Sequence, residues 1–332
     1  MKAVVMRSPG GAEQLQYEEI PEPEISSPDE LLIKVNAAGV NPVDTKLRAN
    51  GVYFTDAPHH VLGCDGAGVV KESGDGCTRF KPGDEVYYFN GGLGGATGNY
   101  AEMAVVDEHY VARKPENLSF EEAAAAPLAL ITAWESLFDR GTLHTEDEVL
   151  IHAGAGGVGH LAIQLASTVD ARIATTVGSK EKAEFVKSLG ADLAILYKED
   201  DFVAAVQQWS SKDGVNMVFD TVGGETFNNS LRAAGNYGEV VTLLQIPEQA
   251  DWKSARGRNL RVTQELMLTP LVSALHDMRL HQTEILEQCT RLFEAGKLQV
   301  HLSHILPLEQ AADAHRMVEE GSTTGKIVLT TG

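Results

Sequence analysis

The run Val149-Leu150-Ile151-His152-Ala153-Gly154-Ala155-Gly156-Gly157-Val158-Gly159, continued by His160 to Ala166, sets an apolar strand ahead of a G-x-G-x-x-G turn and an amphipathic helix behind it. That context gives the pattern its meaning. Gly154 permits the tight turn, Gly156 lets the backbone approach a pyrophosphate, and Gly159 lets the helix pack closely against the strand. The pyrophosphate then rests on the positive end of the helix. Gly154, Ala155, Gly156, Gly157, Val158 and Gly159 form the candidate dinucleotide cradle, the bland alternative being a structural glycine turn. Strand-like runs follow at Arg172 to Thr176, Leu193 to Leu196, Asn216 to Phe219, Glu239 to Leu243 and Leu260 to Thr263, with helical stretches between most of them, such as Lys180 to Ser188 and Asp201 to Ser210. This alternation predicts a parallel sheet covered on both faces.

The next strand's tip selects the nucleotide. A site for NAD carries Asp or Glu about 20 residues beyond the turn, on the ribose 2′-hydroxyl. Here the chain reads Thr176-Val177-Gly178-Ser179-Lys180-Glu181-Lys182. A hydroxyl and two lysines suit a 2′-phosphate, so NADPH is the expected cofactor, with Ser179 and Lys182 as its contacts. Against this stand Glu181, the first available acid, and the ordinary life of a helix lysine in solvent.

Upstream, the first ~120 residues are short β-like runs (Lys2 to Met6, Leu31 to Asn36, Val61 to Val70, Glu85 to Phe89, Ala101 to Val106) punctuated by Ser8-Pro9-Gly10-Gly11, Pro21-Glu22-Pro23 and Lys81-Pro82-Gly83-Asp84. They predict a compact β-rich domain. Glu121 to Asp139 is alanine-rich and apolar at helical spacing. Downstream lie a helical pattern over Gln282 to Ala295, a strand-like His301 to Leu306, a helix over Leu308 to Glu320 and a strand over Lys326 to Thr330.

The 332 residues, 43% of them hydrophobic, suffice for two cored domains. With 47 acidic against 27 basic residues the net charge is −20, a field that repels nucleic acid and anionic membranes and obliges any phosphate ligand to find a local exception. No apolar run approaches the ~18 residues of a membrane span, MKAVVMRSPGG lacks a secretory core, and Cys64, Cys77 and Cys289 are too few and too scattered for a disulfide framework. The expectation is a soluble cytoplasmic protein without nucleic-acid or membrane partners. One basic run, Lys253, Arg256, Arg258 and Arg261, reads first as a solvated face.

Several further motifs occur in order: Ala38-Gly39-Val40-Asn41-Pro42-Val43-Asp44, Leu62-Gly63-Cys64-Asp65-Gly66-Ala67-Gly68-Val69-Val70, Lys81-Pro82-Gly83-Asp84-Glu85-Val86, Gly98-Asn99-Tyr100-Ala101-Glu102, Ala126-Pro127-Leu128 with Thr132-Ala133-Trp134, Asp220-Thr221-Val222-Gly223-Gly224 and Gly325-Lys326-Ile327-Val328-Leu329. Together with the glycine turn they make the whole chain resemble the zinc-independent quinone oxidoreductases of the medium-chain dehydrogenase/reductase superfamily, nearest the subgroup labelled zinc-type alcohol dehydrogenase-like. The resemblance implies an α/β protein: a GroES-like β-barrel catalytic domain split over residues 1–122 and 268–332, and a Rossmann domain, a doubly wound parallel sheet, over 123–267. It also implies a homodimer.

Zinc-dependent relatives hold the metal with a Cys in the first motif and a His-Glu pair in the second. Here those positions are Asn41 and Cys64-Asp65, short of the three protein ligands a catalytic zinc needs, and no structural zinc lobe of cysteines is present, so no metal is expected. Without one, hydride transfer suits a quinone or an α,β-unsaturated carbonyl, whose own conjugation carries the negative charge. The resemblance puts Asn41, Asp44, Tyr53 and Thr132 near nicotinamide and substrate, with Asn41 as oxyanion donor and Tyr53 as donor or stacking ring. Their plainer readings are a turn before Pro42, a helix cap at Asp44, and a hydroxyl against helix backbone at Thr132. Lys46 stands where relatives often have a second tyrosine. The resemblance further implies cofactor contacts from Tyr197, Leu243, Leu244, Gly325 and Lys326. The alternatives are an alcohol dehydrogenase or carbonyl reductase, and a non-catalytic NADPH-binding redox sensor.

Overall fold

A computed structural model describes every residue except Pro58 and Ser322. The chain forms two compact units, Met1–Leu128 with Leu268–Gly332, and Ala129–Met267.

The first unit is β-rich and GroES-like. Its larger sheet runs in the order Leu302–Pro307, Lys326–Thr330, Glu30–Val40, Asp65–Ser73, Glu85–Phe89, Val111–Arg113, with Met103–Asp107 also paired to Glu30–Val40. Leu31, Ile33, Val35, Val70, Val86, Tyr88, Val106 and Val111 pack its core. The strand Lys326–Thr330 pairs antiparallel with Glu30–Val40 and parallel with Leu302–Pro307, stitching the two ends of the chain into one sheet. The predicted strand Val61 to Val70 is in fact two: His60–Val61 joins Lys2–Met6 in a three-stranded sheet, and Asp65–Ser73 belongs to the larger one. Changing sheets forces the break, and it leaves Cys64 at the corner.

The helical stretch predicted over Glu121 to Asp139 is also broken. Phe120–Ala124 is capped by Ser119 and Glu122, each bonding the other's backbone. It packs on Glu30–Val40 and Asp65–Ser73, so the first unit extends past residue 122 to Leu128. Pro127 then opens a second helix, Pro127–Trp134, because proline disfavours helix at the residue before it. A π-helical turn, Glu135–Arg140, completes the segment. The predicted Gln282 to Ala295 helix is longer than its apolar pattern, running His276–Glu294.

The second unit is a Rossmann fold. Six parallel strands lie in the order Leu193–Leu196, Arg172–Val177, Glu148–Ile151, Val215–Asp220, Ala234–Thr242, Arg261–Gln264. The chain starts in the middle, moves outward one way, then returns to build the other half. The carboxyl ends of Glu148–Ile151 and Val215–Asp220 therefore flank the switch point at which such sheets bind ligands. Leu150, Ala174, Ile195, Val206, Val218, Phe227, Leu231 and Val240 are buried on the faces of this sheet.

Candidate functional site: a glycine cradle and a buried polar knot

The glycine turn leaves the sheet at that switch point. A Cβ on Gly154 would overlap the Thr175 hydroxyl, and one on Gly159 would overlap the carbonyl of Ala153. At Gly156, by contrast, the nearest atom to such a Cβ is the Ala153 carbonyl at 3.1 Å. Gly154 and Gly159 are thus required by packing, whereas Gly156, Gly157 and Val158 are partly exposed, Gly156 with its own N–H on the Ala153 carbonyl (2.9 Å). Ala155 is turned inward at 2% exposure. The helix Gly159–Ser167 that follows has no side-chain cap, which leaves its positive end to an anion. This cradle fits a dinucleotide's pyrophosphate.

The neighbouring strand holds the turn, a feature the sequence reading missed. Thr175 donates to the Ile151 carbonyl (2.6 Å), Thr176 accepts from Ala153 N–H (3.1 Å), and Gly154 N–H donates to the Thr176 carbonyl (3.1 Å). The signal was there in the Thr-Thr pair, but it needs the register Thr175 opposite Ile151 to be read. His152 is sealed behind it, bonded to Thr176 and Ser230 at 3.1 Å each, and burial pushes its pKa down to about 4.

At the tip of Arg172–Val177, Ser179 caps the helix Lys180–Ser188 by accepting from Lys182 N–H (3.3 Å). The same hydroxyl helps to hold the exposed Glu181 carboxylate below its ordinary range, together with Glu181's own backbone. Tyr197 stands half exposed beside Gly178, where an added Cβ would come within 3.2 Å of its hydroxyl. Opposite, Asp220 ties its turn by accepting from Val222 and Gly223 N–H (2.9 Å each) and from the Thr242 hydroxyl (2.9 Å). The amides of Leu243 and Leu244 are committed to Asp220 O (3.0 Å) and Thr242 Oγ1 (3.2 Å). Of the basic run, Arg258 is spent on the Asp213 and Ala234 carbonyls (3.3 and 3.2 Å), and Arg261 pairs with Glu239.

In the first unit, Asn41, Asp44, Cys64, Asp65, Tyr100, His315 and Lys326 are all buried. Asn41 precedes the helix Pro42–Asn50, and its N–H donates to Asp44 (2.8 Å), so Asp44 is a cap. The Asn41 amide donates to Asp65 (2.8 Å) and accepts from the Lys326 ammonium, which also donates to the Val40 carbonyl (3.3 Å). Asp65 takes Leu128 N–H (2.8 Å) and lies 4.0 Å from Lys326. On the other side Asp44 receives the Cys64 thiol (3.8 Å) and the Tyr100 hydroxyl (3.2 Å), and Tyr100 meets His315 (3.2 Å). Burial pushes Asp44 up to about 7, helped by Asp65 and opposed by Asn41 N–H, and pushes Asp65 up to about 6, opposed chiefly by Lys326. Burial also drives Lys326 down and Cys64 well up.

Lys326, expected at the cofactor, thus points into this knot. Gly325 allows the turn: at φ +72°, a Cβ there would overlap the His301 carbonyl. Tyr53 is elsewhere in the same unit, its N–H bonded to the Leu93 carbonyl (2.9 Å) and its side chain half exposed. Thr132 belongs to the second unit, buried in helix Pro127–Trp134. Tyr100, His315 and Lys326 escaped the sequence reading as one group because they are far apart in the chain.

A catalytic zinc needs three protein ligands and an open position. Asn41 and Asp65 are bonded to each other, Cys64 keeps its proton against Asp44, and the Lys326 ammonium already supplies the positive charge. These donors do not fit zinc. Among the described residues no three His, Cys, Asp or Glu side chains group as metal ligands, and no helix is long and apolar enough to cross a membrane.

Fold and cradle together define a nucleotide-binding Rossmann protein with a GroES-like partner unit. The alcohol dehydrogenase GroES-like domain family matches residues 27–116, and the zinc-binding dehydrogenase family matches 189–329. A zinc-type alcohol dehydrogenase-like protein of Staphylococcus aureus (strain COL) is 35% identical over 311 residues, covering 91% of this chain and 90% of the relative. The 2-methylene-furan-3-one reductase of Solanum lycopersicum is 35% identical over 340 residues, covering 99% and 79%. The Escherichia coli quinone oxidoreductase, solved as a complex with NADPH, superposes with a TM-score of 0.87 at 28% identity, covering 99% and 100%. The chain belongs to the medium-chain dehydrogenase/reductase superfamily, in the branch of quinone oxidoreductase-like and zinc-type alcohol dehydrogenase-like proteins.

Proposed function

We propose that this protein is an NADPH-dependent reductase that passes hydride to quinones or α,β-unsaturated carbonyls without a metal. The observation that carries the reading is the glycine turn at the switch point of the parallel sheet, open only where a pyrophosphate would approach. The NADPH complex of the similar E. coli enzyme and the enone chemistry named for the tomato relative support cofactor and substrate class.

When bound, the coenzyme supplies the hydride. Gly156 lets the pyrophosphate approach, the backbone of Gly157 and Val158 holds it, Ser179 and Lys182 hold the 2′-phosphate, and Tyr197 lines the adenosine. Tyr53, with its accessible ring and hydroxyl, orients a flat acceptor or donates to the oxygen as it turns negative. Thr132 completes the nicotinamide end. Asn41 and Asp44 act from within the knot, fixing that wall rather than moving a proton, and water returns the proton to product. Such an acceptor delocalises its own charge, so no Lewis acid is required, in keeping with donors that do not suit zinc. The same reading makes the protein a cytoplasmic homodimer, whose assembly sedimentation velocity tests.

The test is turnover. NADPH oxidation is followed with benzoquinone, naphthoquinone and short alkenals before and after dialysis against a chelator. Turnover that survives chelation, with NADPH binding more tightly than NADH, is expected. Loss on chelation with rescue by zinc would make the protein an alcohol dehydrogenase, and tight NADPH binding with no acceptor oxidising it would make it a sensor.

A further inference from the structure

The net charge of −20 makes any cluster of cations conspicuous, and the first unit holds one outside the polar knot. A cavity of about 380 Å³ is lined by Arg79, Phe80, Arg113, Glu287, Thr290 and Arg291. The guanidinium carbons of Arg79 and Arg113 stand 5.3 and 5.4 Å from the centre of the Phe80 ring, which is itself buried. Two cations thus share one aromatic wall, an arrangement that lowers the cost of holding them near each other.

The walls are built rather than incidental. Glu108, buried, accepts from the N–H groups of Thr78 (2.9 Å), Arg79 (2.8 Å) and Phe80 (3.4 Å), and its carbonyl accepts from the Arg79 guanidinium (2.6 Å). On the facing helix His276–Glu294, Thr290 donates to the Arg113 carbonyl (3.1 Å), tying that helix to strand Val111–Arg113. Only part of the positive charge is matched. Arg79 is paired with Glu287 (2.5 Å), Arg113 is 3.6 Å from Asp84, and the Arg291 side chain has no hydrogen-bond or ion-pair partner among the described residues. With Glu287 on Arg79 and Asp84 on Arg113, the Arg291 guanidinium is the charge left unmatched.

We infer that this cavity binds a small phosphate dianion, either inorganic phosphate or a phosphate monoester, between Arg113 and Arg291. Planar guanidinium forks match phosphate oxygens bidentately, and Arg291 brings a positive charge that no carboxylate here offsets. The cavity has room for an organic group beyond the phosphate. The site lies wholly within the first unit and is separate from the glycine cradle, so it does not depend on the coenzyme reading.

Isothermal titration calorimetry of the full chain in low-salt, phosphate-free buffer tests it, with orthophosphate and glycerol phosphate as probes. One-to-one binding is expected, weakened at least tenfold by Arg291→Ala and by Arg113→Ala, and weakened less by Arg113→Lys. Lys182→Ala should leave it unchanged. Tighter binding of glycerol phosphate would identify a monoester as the ligand, and tighter binding of orthophosphate the free ion. Thermal melts without phosphate should match for wild type and Arg291→Ala, since that side chain holds no partner. Three results would overturn the assignment: no heat with either probe, binding lost in Lys182→Ala but kept in Arg291→Ala, or malonate binding more tightly than both phosphates.

Discussion

The glycine cradle and the polar knot solve opposite problems. The cradle presents bare backbone, and two of its glycines are fixed by what a side chain would strike, Thr175 Oγ1 and the Ala153 carbonyl. The knot instead crowds Asp44, Asp65, Lys326, Cys64 and Tyr100 into the interior, where each polar group must find a partner. One site is shaped by sterics and the other by charge. They should therefore fail differently.

The largest effect is expected in the knot. Lys326→Met would leave Asp65 buried without its ammonium, a loss of about 3–5 kcal/mol in urea unfolding. A loss below about 1 kcal/mol would mean that the carboxylates, not the ammonium, organise this region. Next comes Gly159→Ala, whose methyl meets an immovable carbonyl; about 3 kcal/mol should be lost, together with NADPH binding.

The two regions also carry opposite pH signatures. Asp44 sits near its ordinary 3.8 when unfolded and at about 7 when folded. Its folded pKa is raised, so the stabilisation it contributes is complete below about pH 4 and is lost as pH rises through about 7. His152 falls from 6.5 to about 4 on folding, so its contribution is complete above about pH 6.5 and is lost on acidification through about pH 4. Asp44→Asn should flatten the decline in unfolding free energy between about pH 5 and pH 8 by about 2 kcal/mol. His152→Gln should leave that limb alone and flatten the acid limb instead. The reverse assignment of limbs would break the comparison.

Gly156→Ala is the mildest and sharpest case. Stability should fall by no more than about 1 kcal/mol, since the added methyl stands 3.1 Å from the Ala153 carbonyl and asks only a small shift of it, while NADPH affinity falls about tenfold by fluorescence titration. Lys182→Glu should weaken NADPH but not NADH; equal effects on both would return the strand tip to solvent.

The cradle was legible because its signal is contiguous: six residues, with a strand before and a helix after. The parallel pairing of the sheet, though not its strand order, followed from the alternation of strand and helix. The knot was not legible as a unit, because Asn41 and Lys326 lie 285 residues apart and neither position alone says which way its side chain turns. The resemblance sets Lys326 at the cofactor, and only the strand pairing Val40 with Ile327 turns it into the knot. The Asp44 cap could be read from Asn41-Pro42-Val43-Asp44, since a polar residue, then proline, then an acid three positions on is a helix start. The break at Cys64 had a mark in Gly63-Cys64-Asp65, with Gly63 at φ +92°, but a glycine within a strand-like run also suits a bulge and so did not by itself show a change of sheet.

The stitching of both chain ends into one sheet bears on how the protein is made. Asn41 and Asp65 leave the ribosome early, yet the lysine that donates to the one and lies against the carboxylate of the other is translated only after the entire Ala129–Met267 unit. During that interval the nucleotide-binding unit, contiguous in the chain, is free to fold alone, while the amino-terminal strands wait with buried-to-be acids still hydrated. Completion of the first unit thus waits for its carboxy-terminal part, Leu268–Gly332, whose last strand, Lys326–Thr330, brings the lysine.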